Sequence, residues 1–197
     1  KEYLAGEKPF ERLLIRPAAF WDERNISFRL HTTIVAIDAE SHIAETDKGE
    51  RISYGTLIWA AGGEPRRLSC VGNDLAGVHQ IRTRADIDRM VAGLDRVQQI
   101  VVIGGGYIGL EAAAALTKLG HKLIVLEVLD RVLARVAGEA LSRFYEQEHR
   151  AHGVDIRLGA AVETIMGSDG HVDSVRLANG EFVPAQFVIV GIGISPS

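Results

Sequence analysis

The chain has 197 residues, of which 47% are hydrophobic and 24% charged, a balance typical of a globular protein with a substantial core. Its net charge of −4, without any block of Lys or Arg, argues against a nucleic-acid partner. No apolar run approaches the roughly 18 residues of a membrane span. The single cysteine, Cys70, cannot form an internal disulfide, which favours the cytoplasm, and no metal site is predicted.

The first part of the chain is predicted to consist mainly of short strands. Alternating or apolar runs predict them at residues 25–30, 34–37, 42–46, 50–53 and 57–59. The last of these is expected to be buried, and it runs into Ala60-Ala61-Gly62-Gly63. A helix is predicted over residues 86–97, directly before the next strand.

A glycine-rich turn between a strand and a helix is the strongest local motif. Residues 100–103 form a β-branched apolar run, typical of a strand buried on both faces. Gly104, Gly106 and Gly109 follow, and an Ala- and Leu-rich helix is predicted over residues 110–119. A second strand, residues 122–126, ends at Glu127, close to the interval expected of a ribose-binding acid.

Each of these positions has a separate physical role in binding a dinucleotide. Gly104 permits a tight turn, Gly106 lets main chain approach a pyrophosphate, and Gly109 lets the helix pack closely on the sheet. The helix N-terminus offers unpaired N–H groups to phosphate. Glu127 would bind the ribose hydroxyls and repel a 2′-phosphate, which favours NAD over NADP. The alternative is an ordinary βαβ unit with a glycine-rich turn.

The remaining part is predicted to contain one helix and several strands. The helix covers residues 139–151, with Leu141, Phe144 and Tyr145 expected to face inward. Strands are predicted at residues 154–158, 161–165, 172–177, 181–183 and 187–190, with a hairpin turn at Asn179-Gly180.

The two halves repeat each other. Residues 26–37 align with 154–165 without a gap, and residues 49–62 align with 180–193. The second copy follows the glycine-rich βαβ unit, whereas no such unit precedes the first copy. We therefore expect two copies of one structural unit, and a further dinucleotide site upstream of Lys1 in a longer protein.

Three segments resemble the FAD-dependent ferredoxin reductase family, of the putidaredoxin reductase and rubredoxin reductase type, within the pyridine nucleotide-disulfide oxidoreductase superfamily. These segments are Val101 to Glu111, Leu57 to Arg66 and Val190 to Gly193, and the opening Lys1 to Glu7 is similar too. Such enzymes pass hydride from NADH to FAD, and the flavin reduces a [2Fe-2S] ferredoxin. That ferredoxin feeds a P450 or a ring-hydroxylating oxygenase.

The resemblance implies a fold and a set of site residues. The expected fold is α/β: a Rossmann-like NAD-binding domain with a three-layer ββα arrangement (83–197), preceded by the β-rich second half of an FAD-binding domain of the same fold (1–82). Glu111 and Lys1 are implied to lie beside the nicotinamide and the flavin, as an ion pair. The NAD-binding set is Gly104, Gly105, Gly106, Tyr107, Ile108, Gly109, Glu127, Arg135, Gly191, Ile192 and Gly193, and the FAD-binding set is Ile34, Ala60, Ala61, Gly62 and Arg66.

The chain also departs from the family pattern. Ala61 stands where the family usually has threonine. Three parts of the family pattern have no counterpart in this sequence: the first glycine motif, the later segment that binds the FAD ribityl chain, and the C-terminal domain. The isolated chain is therefore expected to keep NAD binding and to bind FAD weakly or not at all. Two other functions stay open: an NADH oxidase or disulfide reductase of the same superfamily, and a non-catalytic NAD-binding module.

Overall fold

The computed structural model describes residues 1–197, which divide into two compact units. The smaller unit is Leu13–Gly62, and the larger unit combines Lys1–Arg12 with Gly63–Ser197. We describe each unit by itself.

The smaller unit contains a short helix and an antiparallel meander. These are α1 (Ala18–Asp22), β1 (Ile34–Asp38), β2 (Ile43–Thr46) and β3 (Arg51–Ser53), with strand order β1-β2-β3. The turn between β2 and β3 is fixed by the Thr46 hydroxyl, which accepts hydrogen bonds from the backbone N–H groups of Lys48 and Glu50 at 3.3 and 3.0 Å. Gly49 adopts a φ of 76°, a conformation that suits glycine.

Two strands predicted in this unit are wrong. Residues 25–30 and 57–59 are not extended into any sheet, and the side chain of Ile58 is 84% exposed. The equivalent residues of the second repeat are strands because parallel neighbours pair with them. A strand needs such a partner for its backbone N–H and C=O groups, and β-propensity alone does not supply one.

The larger unit is built on a parallel sheet. A 3-10 helix (Phe10–Leu13) precedes its main elements along the chain. The elements are β4 (Gly63–Pro65), β5 (Val78–Gln80), α2 (Arg84–Leu94), β6 (Gln99–Ile103), α3 (Tyr107–Lys118), β7 (Lys122–Leu126), α4 (Glu139–Ala151), β8 (Asp155–Arg157), β9 (Val162–Ser168), β10 (His171–Leu177), β11 (Phe182–Pro184), β12 (Phe187–Val190) and β13 (Ile194–Pro196). Five of the strands form the parallel sheet, in the order β5-β12-β6-β7-β8.

The sheet lies between a helical layer and a second sheet. On central strand β6, Ile100 and Val102 face the helices, where Leu116 of α3 and Met90 of α2 are also fully buried. Val101 and Ile103 face the antiparallel meander β9-β10-β11. Side chains alternate across a strand, so an uninterrupted apolar run serves both layers. This is the predicted three-layer ββα arrangement, and the predicted fold class is confirmed.

The helices differ from prediction in detail. Helix α2 begins at Arg84, because Thr83 and Asp86 form a reciprocal capping box, and it ends at Leu94. Helix α4 has the predicted bounds, but Leu141 and Phe144 are exposed rather than inward. Its most buried side chains are instead polar, those of Ser142 and Glu146. No helix of the structure has the length and apolar character needed to cross a membrane.

The repeat is visible as two meanders of equal topology. Strands β1-β2-β3 and β9-β10-β11 are both antiparallel and occupy repeat-equivalent positions. In the larger unit, β4 and β13, which are also equivalent, pair antiparallel with Glu64 opposite Ser195. The two repeat-equivalent strands β4 and β13 therefore pair with each other within the larger unit. The division after residue 82 stays a prediction.

Candidate functional site

A cavity of about 560 Å³ lies in the larger unit, at the carboxyl ends of β6, β7 and β12. From central strand β6 the chain continues to β7 on one side, and it returns as β12 on the other. A crevice at such a switch of direction is where open α/β sheets bind ligands. The lining includes residues 103–108, 126–129, 133–136, 160–162 and 191–194, together with Leu68.

Two of the three motif glycines are required by the fold itself. Gly104 has a φ of 107°, and a Cβ placed on it would lie 2.5 Å from the backbone oxygen of Gly191. A Cβ on Gly109 would lie 2.1 Å from the backbone oxygen of Gly104. Both distances are shorter than a van der Waals contact, so neither position accepts a side chain without rearrangement of the turn.

Gly106 differs from these two positions. Its φ is −80°, which any residue adopts, and the nearest atom to a Cβ placed there would be the Gly191 oxygen at 4.0 Å. The fold therefore tolerates a side chain at Gly106. The missing side chain leaves space at the edge of the cavity, where a ligand can approach the main chain.

Helix α3 begins at this edge with unpaired donors. Gly106 is the N-cap and offers no side chain to the first turn. The N–H groups of Tyr107, Ile108 and Gly109 are the first three of the helix, so they have no acceptor within it. These donors and the positive end of the helix dipole favour an anion such as a pyrophosphate.

The carboxylate of Glu127 is 9% exposed and lines the cavity. One oxygen accepts a hydrogen bond from the Gly105 N–H at 2.7 Å, and the other accepts one from the Leu129 N–H at 2.9 Å. Glu127 therefore holds the glycine turn and the start of the following loop together. The sequence indicated its place at the strand end but not these two bonds.

The segment after Glu127, residues 128–138, forms one wall of the cavity. Leu133, Ala134, Arg135 and Val136 line it, and the Leu133 N–H donates to the Gly105 oxygen at 2.9 Å. Arg135, predicted from the resemblance, is an exposed cation on this otherwise apolar wall. The opposite wall is made by Gly191, Ile192 and Gly193, where the Gly191 N–H donates to the Ile103 oxygen at 2.8 Å.

The structure brings Lys1 and Glu111 together, as the resemblance implies. The Lys1 Nζ atom lies 3.4 Å from a carboxylate oxygen of Glu111, although 110 residues separate them. Both side chains are more than half exposed. The segment that carries Lys1 is anchored to the larger unit, because Leu4 is buried in its core and the Tyr3 hydroxyl donates to Asp88 at 2.6 Å.

The residues predicted to bind FAD are divided between the two units. Ile34, Ala60, Ala61 and Gly62 belong to the smaller unit, and residues 60–62 are exposed. Arg66 belongs to the larger unit, where its Nε donates to the Ile194 oxygen at 3.1 Å. None of these residues lines the cavity of the larger unit. Their role in FAD binding stays a prediction.

Sequence reasoning missed several cavity residues. Leu68, the apolar residues after Glu127 and the segment 160–162 carry no motif. The only available signal was position: residues 128–136 follow the acid that ends the second strand of the βαβ unit, and residues 160–162 follow β8.

These features define the class of protein. A parallel sheet whose central strand leads through a bare glycine turn into a helix, with a carboxylate ending the next strand, is a dinucleotide-binding fold of the Rossmann class. The chain belongs to the pyridine nucleotide-disulphide oxidoreductase family, whose model matches residues 1–197.

Within this family, the chain is similar to proteins named as ferredoxin reductases. The chain is 53% identical to a ferredoxin–NAD(P)+ reductase of Sphingomonas sp, over 100% of this chain and 48% of the relative. It is 51% identical to the ferredoxin reductase subunit of a 5,5′-dehydrodivanillate O-demethylase of Sphingobium sp., again over 100% of this chain and 48% of the relative.

Solved structures of ferredoxin reductases also match the fold of this chain. The ferredoxin reductase of the CYP199A2 system of Rhodopseudomonas palustris matches with a TM-score of 0.91 and 30% identity, over 98% of this chain and 48% of that one. Putidaredoxin reductase, in its covalent complex with putidaredoxin, matches with a TM-score of 0.90 and 35% identity, over the same shares. The chain spans about half the length of the curated relatives it matches. The predicted resemblance to ferredoxin reductases is confirmed.

Proposed function

We propose that this chain is the NAD(H)-binding part of an NADH-dependent flavoprotein reductase. In that reductase, electrons pass from NADH through FAD to a [2Fe-2S] ferredoxin that serves a P450 or a ring-hydroxylating oxygenase. The observation that carries the proposal is the cavity at the carboxyl end of β6. It is lined there by the glycine turn, by the N-terminus of α3 and by the Glu127 carboxylate.

The residues of the cavity have complementary tasks toward NADH. The first N–H groups of α3 donate to the pyrophosphate. Because Gly106 has no Cβ, the pyrophosphate can come close to this main chain. Glu127, already held by two backbone N–H groups, accepts hydrogen bonds from the adenosine ribose with its remaining lone pairs. Arg135 adds a positive charge on the adenosine side.

Glu111 and Lys1 act at the other end of the nucleotide. Glu111 is the fifth residue of α3, so its carboxylate lies one turn beyond the phosphate-binding N-terminus. The Lys1 Nζ atom lies 3.4 Å from this carboxylate, and the half-exposed ammonium balances its charge. Bound FAD would supply the redox chemistry, as hydride acceptor for NADH and single-electron donor for the ferredoxin. The chain's contribution is therefore position and orientation of the nicotinamide nucleotide.

The ferredoxin partner is supported by the names of the relatives. Two of them are called ferredoxin reductases, and a solved structure with a TM-score of 0.90 is that of a reductase joined to putidaredoxin. The alternative of a disulfide reductase is not favoured, because these relatives are named as ferredoxin reductases. A single free thiol is also in keeping with the cytoplasm, where we place the reductase.

A titration of the chain with NADH, NADPH and FAD tests the nucleotide site. We expect NADH to bind, NADPH to bind more weakly by about tenfold or more, and FAD to bind weakly or not at all, because a 2′-phosphate beside the Glu127 carboxylate meets like charge. Tight NADPH binding would overturn the role given to Glu127. No binding of either nucleotide would overturn the site itself.

Electron transfer is tested with the FAD-loaded reductase that contains this chain. We expect rapid NADH-dependent reduction of a [2Fe-2S] ferredoxin, followed by its absorbance, and slow direct consumption of oxygen. Fast oxygen consumption with no ferredoxin reduction would select the NADH oxidase alternative instead.

A further inference from the structure

Glu146 is a buried acid that the nucleotide site does not use. It lies on α4, outside the residues that line the cavity, and it is 3% exposed. A carboxylate is costly to bury unless hydrogen bonds or charges compensate it, so its partners indicate its task.

One partner of Glu146 is fixed and two are adaptable. Its Oε1 atom accepts a hydrogen bond from the backbone N–H of Val132 at 3.3 Å. Arg143 and Arg150 approach its Oε2 at 3.2 and 3.8 Å, but both guanidinium side chains are nearly half exposed and have access to water. Val132 is fully buried, so its N–H group has no alternative acceptor in solvent.

Val132 belongs to the wall segment, residues 128–138, and touches the glycine turn. Its Cγ1 atom lies 3.0 Å from the position that a Cβ on Gly105 would occupy. The next residue, Leu133, bonds to the Gly105 oxygen and has a φ of 54°, which is strained for a leucine. Such a conformation persists only where surrounding contacts hold it in place.

A second contact from α4 holds the same segment. The Arg131 guanidinium donates to the backbone oxygens of Ala134 and Ala137 and to the Ser142 hydroxyl, each at 3.2 Å. Ser142 is fully buried. Two buried polar side chains of α4, one turn apart, therefore fasten a segment whose other face lines the cavity.

We propose that Glu146 is a positioning residue for the adenosine side of the nucleotide cavity. It holds the Val132 main chain, and through it Leu133, Ala134 and Arg135, against the glycine turn. Ser142 assists through Arg131. This inference rests on the proposed function, because it assumes that the wall segment contacts the adenosine half of NAD(H).

The variant Glu146→Ala tests the inference in the full chain, with NADH and ADP-ribose as ligands in calorimetric titrations. Leaving the buried Val132 N–H without an acceptor should loosen the segment and weaken both ligands by about tenfold. The two losses should be equal, because ADP-ribose contains the adenosine half and lacks the nicotinamide. Tryptic cleavage after Arg135 should also be faster than in the wild type.

Two controls separate this role from charge and from global stability. Glu139→Gln removes the exposed acid that also pairs with Arg143, at 3.5 Å, and should bind both ligands as the wild type does. Met90→Ala opens the core on α2 and lowers the melting temperature, but it should leave both dissociation constants unchanged. Glu146→Gln keeps an oxygen for the Val132 N–H and should restore most of the affinity.

The outcomes are distinct. Wild-type affinity for ADP-ribose in a folded Glu146→Ala variant overturns the inference, and so does a loss confined to NADH. If Glu146→Ala does not fold, Ser142→Ala replaces it. The affinity for both ligands should then fall by about threefold, and an unchanged affinity would overturn the inference. If the wild-type chain binds neither ligand, the proposed function fails as well, and the titration of the wild type alone reveals this.

Discussion

Replacing Gly106 by alanine should separate ligand binding from folding. The backbone at Gly106 has φ −80° and ψ 179°, which alanine adopts freely, and the added methyl group would meet only the Gly191 oxygen, at 4.0 Å. Alanine is a poorer N-cap than glycine, so we expect the free energy of unfolding to fall by under about 1 kcal/mol.

The effect on binding should be much larger. The methyl group of Gly106→Ala occupies the space through which the pyrophosphate reaches the first N–H groups of α3. Weakening or loss of two charge-assisted hydrogen bonds corresponds to roughly 3 kcal/mol, or about a hundredfold in the dissociation constant of NADH.

Gly109→Ala is the matched comparison. There the methyl group would lie 2.1 Å from the Gly104 oxygen and 3.1 Å from the Val102 Cγ1 atom. Overpacking of this kind costs about 1–3 kcal/mol of stability or more, because the turn itself must move.

The assay combines urea unfolding with a fluorescence titration of NADH for each variant. Gly106→Ala should unfold within about 1 kcal/mol of the wild type and bind NADH poorly, whereas Gly109→Ala should unfold at clearly lower urea. A Gly106→Ala variant that binds NADH with wild-type affinity would refute the close approach of phosphate to this main chain.

Three further outcomes are expected. Glu127→Ala should destabilise the fold by about 1–3 kcal/mol, because the Gly105 and Leu129 N–H groups lose their acceptor. It should also weaken NADH binding about tenfold or more, and an unchanged NADH affinity in calorimetry would contradict this. Glu111→Gln breaks the exposed pair with Lys1 and should change stability by less than about 1 kcal/mol, yet slow hydride transfer in stopped-flow measurements of the FAD-loaded reductase; an unaltered rate would argue against a role at the nicotinamide. Burial against Phe187, with ring centroids 4.0 Å apart, lowers the pKa of His79 from 6.5, so below that pH the unfolded chain takes up a proton that the folded chain does not. Stability should therefore be full above about pH 6.5 and fall as the pH drops through the lowered pKa. His79→Phe should remove this part of the dependence of melting temperature on pH.

The central motif could be predicted from the sequence because its determinants are local. The apolar run of β6, the three glycines, the alanine-rich α3 and the terminal Glu127 each impose a conformation or a contact within one βαβ unit. The same holds for α4 and β12, whose observed bounds equal the predicted ones.

The failures concern partners that are distant in sequence. Residues 57–59 have the composition of a buried strand, but a strand forms only where a neighbour offers its backbone. On α4, periodicity placed Leu141 and Phe144 inward, whereas the buried face carries Ser142 and Glu146. Their partners, Arg131 and the Val132 N–H, lie in a loop without a sequence pattern, so tertiary contacts decided which face is buried.

A crystal structure of the chain soaked with NADH tests the central claim most directly. The account predicts pyrophosphate oxygens within about 3 Å of the N–H groups of Tyr107 and Ile108, with the adenosine ribose against Glu127. A nucleotide bound elsewhere, or a crevice filled by side chains with no nucleotide in it, would contradict the account.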